Sequence, residues 1–213
     1  MRYLTIALTK GRLAEQTLSL FAKAGYPFRE MEEKGSRRLI FTDEVHGLRF
    51  FLAKGPDVPT YVEYGAADIG ISGSDVLREE GRRLYEVLDL HIGKCRMCVC
   101  GPEDKRESLR TGEMIRVATK YPNITKHYFY DQMMRTVEII KLSGSIELAP
   151  IVGLSDVIVD IVETGSTLRA NGLTVLEEIC PVSARMVVNE VSMKLENERI
   201  AALIAALSEV IGQ

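Results

Sequence analysis

A chain of 213 residues, 46% hydrophobic and 27% charged, can bury a substantial core and lacks the composition of a disordered protein. Its 27 basic and 30 acidic side chains leave a formal net charge of −3, which gives no sign of a nucleic-acid or membrane surface. No apolar run approaches the ~20 residues needed to span a bilayer.

The opening Tyr3–Thr9 alternates like a strand and lacks the apolar core and cleavage site of a signal peptide, so a cytoplasmic protein is expected. It ends at Lys10-Gly11-Arg12. A helix follows, with Leu13, Thr17, Leu20, Phe21 and Ala24 on one face and Gly25 beyond its end. Two cations around a glycine at a strand end can hold phosphates or can form a solvated turn. The charged stretch Glu30–Arg38 precedes the strands Arg38–Thr42 and Leu48–Ala53, joined near His46-Gly47. Arg37 and Arg38 adjoin the first of these strands and Lys54 closes the second. Asp57-Val58-Pro59 caps and starts a short helix through Tyr64-Gly65. Asp68–Ser72 reads as a strand and Gly73–Gly81 as a helix bounded by glycines; the extended segments Tyr85–Ile92 and Cys95–Cys100 flank Gly93.

The four cysteines stand at Cys95, Cys98, Cys100 and Cys180. Cys95-x-x-Cys98 has the spacing of a zinc or redox pair, but KCRMCVCG reads as a strand with Cys98 and Cys100 on one face. No second Cys pair or His pair supplies further ligands, so buried cysteines and no metal site are expected.

From Pro102 the pattern restarts. Helix Glu103–Arg110, strand Met114–Thr119, helix Asn123–Met134, strand Val137–Leu142 and the short helix Ile146–Val152 lead to strand Asp156–Glu163. That order predicts a parallel sheet with covering helices. Thr164-Gly165-Ser166-Thr167 then turns into Leu168–Asn171, which stops at Gly172. Backbone N–H groups at a helix start, joined by hydroxyls, fit a phosphate. An ordinary connection capped by Thr164 or Ser166 fits the same residues. Thr174–Asn189 reads as one extended run broken near Pro181. The final helix carries Ile200, Leu203, Ile204, Leu207, Val210 and Ile211 on one face, suited to cover its own lobe. The expected architecture is α/β, with one lobe of residues 1–92 plus 177–213, a second of residues 93–176, and a ligand cleft between them.

At this spacing Glu147, Gly153, Ser155, Ile158, Asp160, Ile161, Thr164, Gly165, Thr167 and Leu168 resemble the signature of the ATP phosphoribosyltransferase family, which opens histidine biosynthesis. Thr9–Leu13, Ser36–Leu39, Ala53–Val62, Gly65–Gly73 and Ala118–Pro122 carry the resemblance along the chain. It implies the short form, with no C-terminal regulatory domain, and two lobes similar to type II periplasmic binding proteins. It also implies that N1 of the adenine of ATP joins C1 of phosphoribosyl pyrophosphate, with substrate-bound Mg2+ as cofactor. A regulatory subunit related to histidyl-tRNA synthetase is the implied partner, in a hetero-oligomer around a homodimer core; nucleic acid and membrane are not. On this reading Thr164, Gly165, Ser166 and Thr167 take the sugar 5-phosphate, and Asp160 and Glu147 hold ribose hydroxyls or a magnesium shell. Lys10, Gly11, Arg12 and Arg37 hold ATP, while Arg37, Lys54 and Lys10 stabilise the departing pyrophosphate. A two-lobed binding module is the rival from another class, opposed by the missing signal peptide. A type I phosphoribosyltransferase is opposed by the separation of Asp160 from Glu163, since its loop carries an adjacent acidic pair.

Overall fold

The computed structural model describes residues 2–28, 39–111 and 113–212; Arg37 and the rest of the charged stretch 29–38 lie outside the described residues. The chain divides into two compact units, Met1–Gly93 with Ser183–Gln213, and Lys94–Val182.

The first unit contains β1 (Leu4–Thr9), α1 (Arg12–Lys23), β2 (Ile40–Asp43), β3 (Leu48–Ala53), α2 (Val58–Glu63), β4 (Ile69–Gly73), α3 (Ser74–Glu80) and β5 (Tyr85–Asp89). It is completed by β11 (Ala184–Val188), α8 (Glu190–Leu195) and α9 (Asn197–Ile211). The strands form one sheet in the order β2-β3-β1-β4-β11-β5. Strand β1 runs parallel to both neighbours, with Thr9 opposite Ala53 and Leu8 opposite Ile71. Alternation sends Leu4, Ile6, Leu8, Phe50, Ile69 and Met186 to one face, where Phe21 of α1 and Ile200, Leu203 and Leu207 of α9 cover them. The last helix therefore covers its own unit, as its apolar stripe predicts. On the other face Ala7, Ala53 and Val187 meet Val58 and Val62 of α2. A Cβ added at Gly70 would stand 2.6 Å from a Val62 methyl, so this glycine is what lets α2 approach the sheet.

Asp68, 1% exposed, ties this unit together. Its Oδ2 accepts the Thr5 N–H at 2.8 Å and its Oδ1 accepts the Ser192 hydroxyl at 2.6 Å. The Arg2 guanidinium also donates to Oδ1.

The second unit contains β6 (Cys95–Gly101), α4 (Lys105–Ser108), β7 (Arg116–Thr119), α5 (Pro122–Lys126), β8 (Glu138–Lys141), α6 (Leu148–Ile151), β9 (Val157–Val162), α7 (Ser166–Ala170) and β10 (Thr174–Val182). The sheet order is β10-β6-β9-β7-β8, with β7 parallel to β8 and β9 and the β6 pairings antiparallel. Val117, Val157 and Val159 face one apolar cluster with Phe129 and Ile124. Ala118, Ile158 and Val162 face the other with Ile146, Ala149 and Leu168.

Several elements differ from the sequence expectation. The run after Leu173 does break near Pro181: it continues through Val182, opposite Cys95, and breaks at Ser183. Proline is tolerated because β10 is an edge strand, where an N–H is dispensable. This pairing carries the second unit past residue 176 to Val182. The helix expected over Glu103–Arg110 is only Lys105–Ser108, and α5 gives way to a π-turn over His127–Gln132. Cys98 and Cys100 are fully buried on one face of β6, while Cys95 and Cys180 are half-buried against the opposite cluster.

Before β9 the Asp156 carboxylate accepts the Arg116 backbone N–H at 2.9 Å and its Nε–H at 3.4 Å, with Lys105 Nζ at 3.7 Å. Burial opposes its ionisation, but the bonds from Arg116 and the charge of Lys105 outweigh this and hold its pKa below the ordinary value. The depressed carboxylate stabilises the fold above the unfolded pKa of about 4, and that contribution disappears as pH falls through the lower folded value. The stability gap between wild type and Asp156→Asn, measured by urea unfolding, is thus expected to be constant above about pH 5 and to shrink steadily below about pH 4. A gap that widens in acid would contradict the assignment.

Candidate active site

In the second unit the parallel strands β7, β8 and β9 end at one edge, where ligands of open α/β sheets gather. The turn after β9 is built around Gly165, whose φ of 70° and ψ of 12° lie in the left-handed region. The Thr164 and Ser166 hydroxyls stand 3.0 Å apart, and the Ser166 N–H points to Thr164 Oγ1 at 3.4 Å. Arg169 braces the turn, donating from Nη1 to the Thr164 carbonyl at 3.1 Å. Thr164, Ser166 and Thr167 are exposed. Gly165, not a hydroxyl residue, occupies the cap position and has no side chain to cap the helix. Thr164 Oγ1, one residue earlier, receives the first helical N–H instead, in keeping with the capping alternative. Helix α7 has five residues, too few for a long helix dipole, so what the turn offers an anion is its backbone N–H groups and hydroxyls.

Asp160 stands two residues before the end of β9, half-buried, with Oδ1 accepting the Ile161 N–H at 2.8 Å. Glu147 immediately precedes α6 and is half-buried. The cluster of Ile146, Ala149, Ile158, Val162 and Leu168 packs α6, β9 and α7 together, which brings Glu147, Asp160 and the turn around one apolar centre. No group of three or more His, Cys, Asp or Glu able to hold a metal ion occurs among the described residues.

In the first unit Lys10 and Lys54 follow the paired residues Thr9 and Ala53 at the carboxyl ends of neighbouring parallel strands. The Lys10 N–H bonds the Ala53 carbonyl at 3.0 Å, and Thr9 Oγ1 bonds the Ile71 carbonyl at 3.1 Å. Gly11, at φ 90° and ψ −152°, turns the chain into α1 and exposes Arg12. Lys10, Gly11, Arg12 and Lys54 thus share one exposed edge. Two features of this kind passed unassigned in the sequence. Asp75 folds its carboxylate back over Gly73, where an added Cβ would meet Oδ1 at 2.1 Å. Lys120 follows β7 on the edge of the second unit. Both lie just past a parallel strand, and that position is the signal.

The family model described as HisG, ATP phosphoribosyltransferase, matches residues 54–209. The ATP phosphoribosyltransferase of Lachnoclostridium phytofermentans is 66% identical over 211 residues, covering 99% of this chain and 98% of that protein. The Caldanaerobacter subterraneus enzyme of the same name is 54% identical over 99% of both chains. A solved structure titled ATP phosphoribosyl transferase (HisG:HisZ) complex, from Thermotoga maritima, superposes with a TM-score of 0.81 at 38% identity, covering 98% of each chain.

Proposed function

The chain belongs to the ATP phosphoribosyltransferase family, and we propose that its second unit holds the phosphoribosyl group while its first unit supplies the cations that meet the polyphosphates. It is the catalytic subunit that joins N1 of the adenine of ATP to C1 of phosphoribosyl pyrophosphate, releasing pyrophosphate in the first step of histidine biosynthesis. Its two α/β units have the fold of type II periplasmic binding proteins.

Breaking the C1–oxygen bond builds positive charge on the ribose and negative charge on the leaving pyrophosphate. Positioning and preorganised charge are the means available, with no protein nucleophile. The hydroxyl-rich turn around left-handed Gly165, beside Asp160, carries this reading. Thr164, Gly165, Ser166 and Thr167 take the 5-phosphate, and Asp160 and Glu147 hold the ribose hydroxyls. Lys10, Gly11, Arg12 and Arg37 receive the triphosphate, and Lys10, Arg37 and Lys54 steady the leaving group. Asp160 and Glu147 offer hard oxygen ligands that could complete the shell of magnesium held chiefly by the substrates. When bound, Mg2+ would neutralise phosphate charge.

The chain spans 98% of its Lachnoclostridium relative and of the Thermotoga chain. We propose that, as HisG does with HisZ in the Thermotoga complex, this chain assembles with a regulatory subunit, one related to histidyl-tRNA synthetase, around a homodimer core. No helix among the described residues is long and apolar enough to cross a membrane, and the biosynthetic role supports a cytoplasmic setting.

The division of roles is tested by Lys54→Met, assayed with ATP, phosphoribosyl pyrophosphate and magnesium through the absorbance of N1-substituted adenine, with and without the regulatory partner. Loss of one charge-assisted contact to the leaving group is expected to slow single-turnover chemistry about tenfold, with both KM values little changed. A wild-type single-turnover rate removes Lys54 from the chemical step.

A further inference from the structure

Arg169 holds the turn by two bonds at once. Its backbone N–H donates to the Gly165 carbonyl at 3.1 Å, and its side-chain Nη1 donates to the Thr164 carbonyl at 3.1 Å. The two peptide planes that meet at Gly165 are thus gripped by one residue, and with them the φ of 70° and ψ of 12°. The backbone bond opens the ladder of α7 and needs no particular side chain. The Thr164 carbonyl lies one residue ahead of that ladder, and the guanidinium is what reaches it. Nη1 would stand 3.3 Å from a Cβ on Gly165, so the guanidinium lies against the turn itself.

The Thr164–Gly165 peptide is the one that can turn over. A trans peptide points its N–H opposite to its C=O. With the carbonyl held by Arg169, the Gly165 N–H faces away from the guanidinium. It meets no protein acceptor among the described residues, whereas the Ser166 N–H is already directed at Thr164 Oγ1. The Gly165 N–H is therefore an open donor at the centre of the turn. Turning the plane over reverses the sign of φ at Gly165, which glycine accepts at little cost. A carbonyl oxygen would then stand where the N–H had been, and an anion would meet a repulsive dipole.

We propose that Arg169 is a positioning residue for phosphoribosyl pyrophosphate, which keeps the Gly165 N–H aimed at the 5-phosphate by holding the Thr164 carbonyl. This rests on the assignment of Thr164–Thr167 to that phosphate. The guanidinium works from the carbonyl side of the peptide and needs no contact with the substrate. A bond to the carbonyl also polarises the peptide, which strengthens its N–H as a donor. Because the 5-phosphate does not react, the N–H bond is equally strong in ground and transition states. Its loss acts on KM and leaves kcat unchanged.

The test compares Arg169→Met, which keeps the stem without a donor, with Arg169→Lys, which still donates, in the intact enzyme. The KM for phosphoribosyl pyrophosphate is expected to rise about tenfold in Arg169→Met, with kcat and the KM for ATP within about twofold. Arg169→Lys should recover most of the loss. The direct readout is the Gly165 amide resonance in enzyme labelled with 15N-glycine, identified by its disappearance in Gly165→Ala. Ribose 5-phosphate should move it downfield in the wild type and leave it in place in Arg169→Met. An unchanged KM for phosphoribosyl pyrophosphate or a parallel rise in the KM for ATP overturns the proposal. So does a Gly165 resonance that ribose 5-phosphate moves equally in both proteins, since Arg169 would then act on the substrate and not on the peptide. Gly165→Val separates the two levels. If it weakens ribose 5-phosphate binding and Arg169→Met does not, the Arg169 assignment alone fails. If neither variant weakens it, the phosphate turn itself is misplaced.

Discussion

Gly165→Val is expected to raise the KM for phosphoribosyl pyrophosphate on the order of a hundredfold, with little change in the KM for ATP. At φ 70° a β-branched side chain is strained, because its Cβ crowds the backbone carbonyl, and valine suffers more than alanine. The new Cβ would stand 3.3 Å from Arg169 Nη1 and 3.7 Å from a Val162 methyl. Relief of that contact displaces Arg169 from the Thr164 carbonyl, and the brace on the turn is lost. Loss of about one charge-assisted bond to the phosphate, worth about 1.5–3 kcal/mol, accounts for the expected size. Gly165→Ala, with the smaller side chain, should fall between wild type and valine. Equal increases for both substrates would argue against the turn as the phosphate site, and a circular dichroism spectrum matching the wild type would show that the fold survives.

Asp68→Ala is expected to destabilise the first unit by about 3–5 kcal/mol, the cost of stripping a buried, multiply bonded carboxylate from its partners. The Thr5 N–H, the Ser192 hydroxyl and the Arg2 guanidinium would each lose an acceptor, and the first two are buried or nearly so. These partners come from the start of β1 and from α8, so the loss is felt where three segments distant in sequence meet. Thermal or urea unfolding checks it, with the midpoint falling by roughly 10 °C. A shift within about 1 kcal/mol would mean that water replaces the carboxylate without penalty. KM values in the surviving folded enzyme should be close to wild type, because Asp68 opens β4 at the end opposite the basic edge.

The same residue shows where sequence reading stops. The alternating apolar pattern around Ile69 and Ile71 revealed β4, and similar patterns revealed the parallel order of β7, β8 and β9. Asp68 looked like the polar start of a strand, since its partners lie 63 and 124 residues away. The turn at Thr164–Thr167 and the basic pair Lys10 and Arg12 were visible because local chemistry carries them. The pairing of Thr119 with Val159 was not, because strand register is encoded by no local pattern. Pro181 marked the nearby break, but that it sits inside a strand was not visible, because a proline forbids a central strand and not an edge one, and edge status belongs to the assembled sheet. Arg37, which the family resemblance singles out, lies outside the described residues.

Strand β11 sits between β4 and β5 in its sheet, yet it is separated from them in sequence by the whole second unit. Synthesis therefore delivers residues 1–93 before the strand that joins their sheet exists. The nascent first unit has β4 and β5 without a common partner, while the second unit, continuous in sequence, can close first. Completion of the first unit waits for residues 184–188, and α9 follows as the last cover over its core. Loop closure around an inserted unit is slow compared with local pairing. The exposed β4 edge in that interval is where aggregation during expression has its opening, and α9 is the segment whose truncation would prolong it.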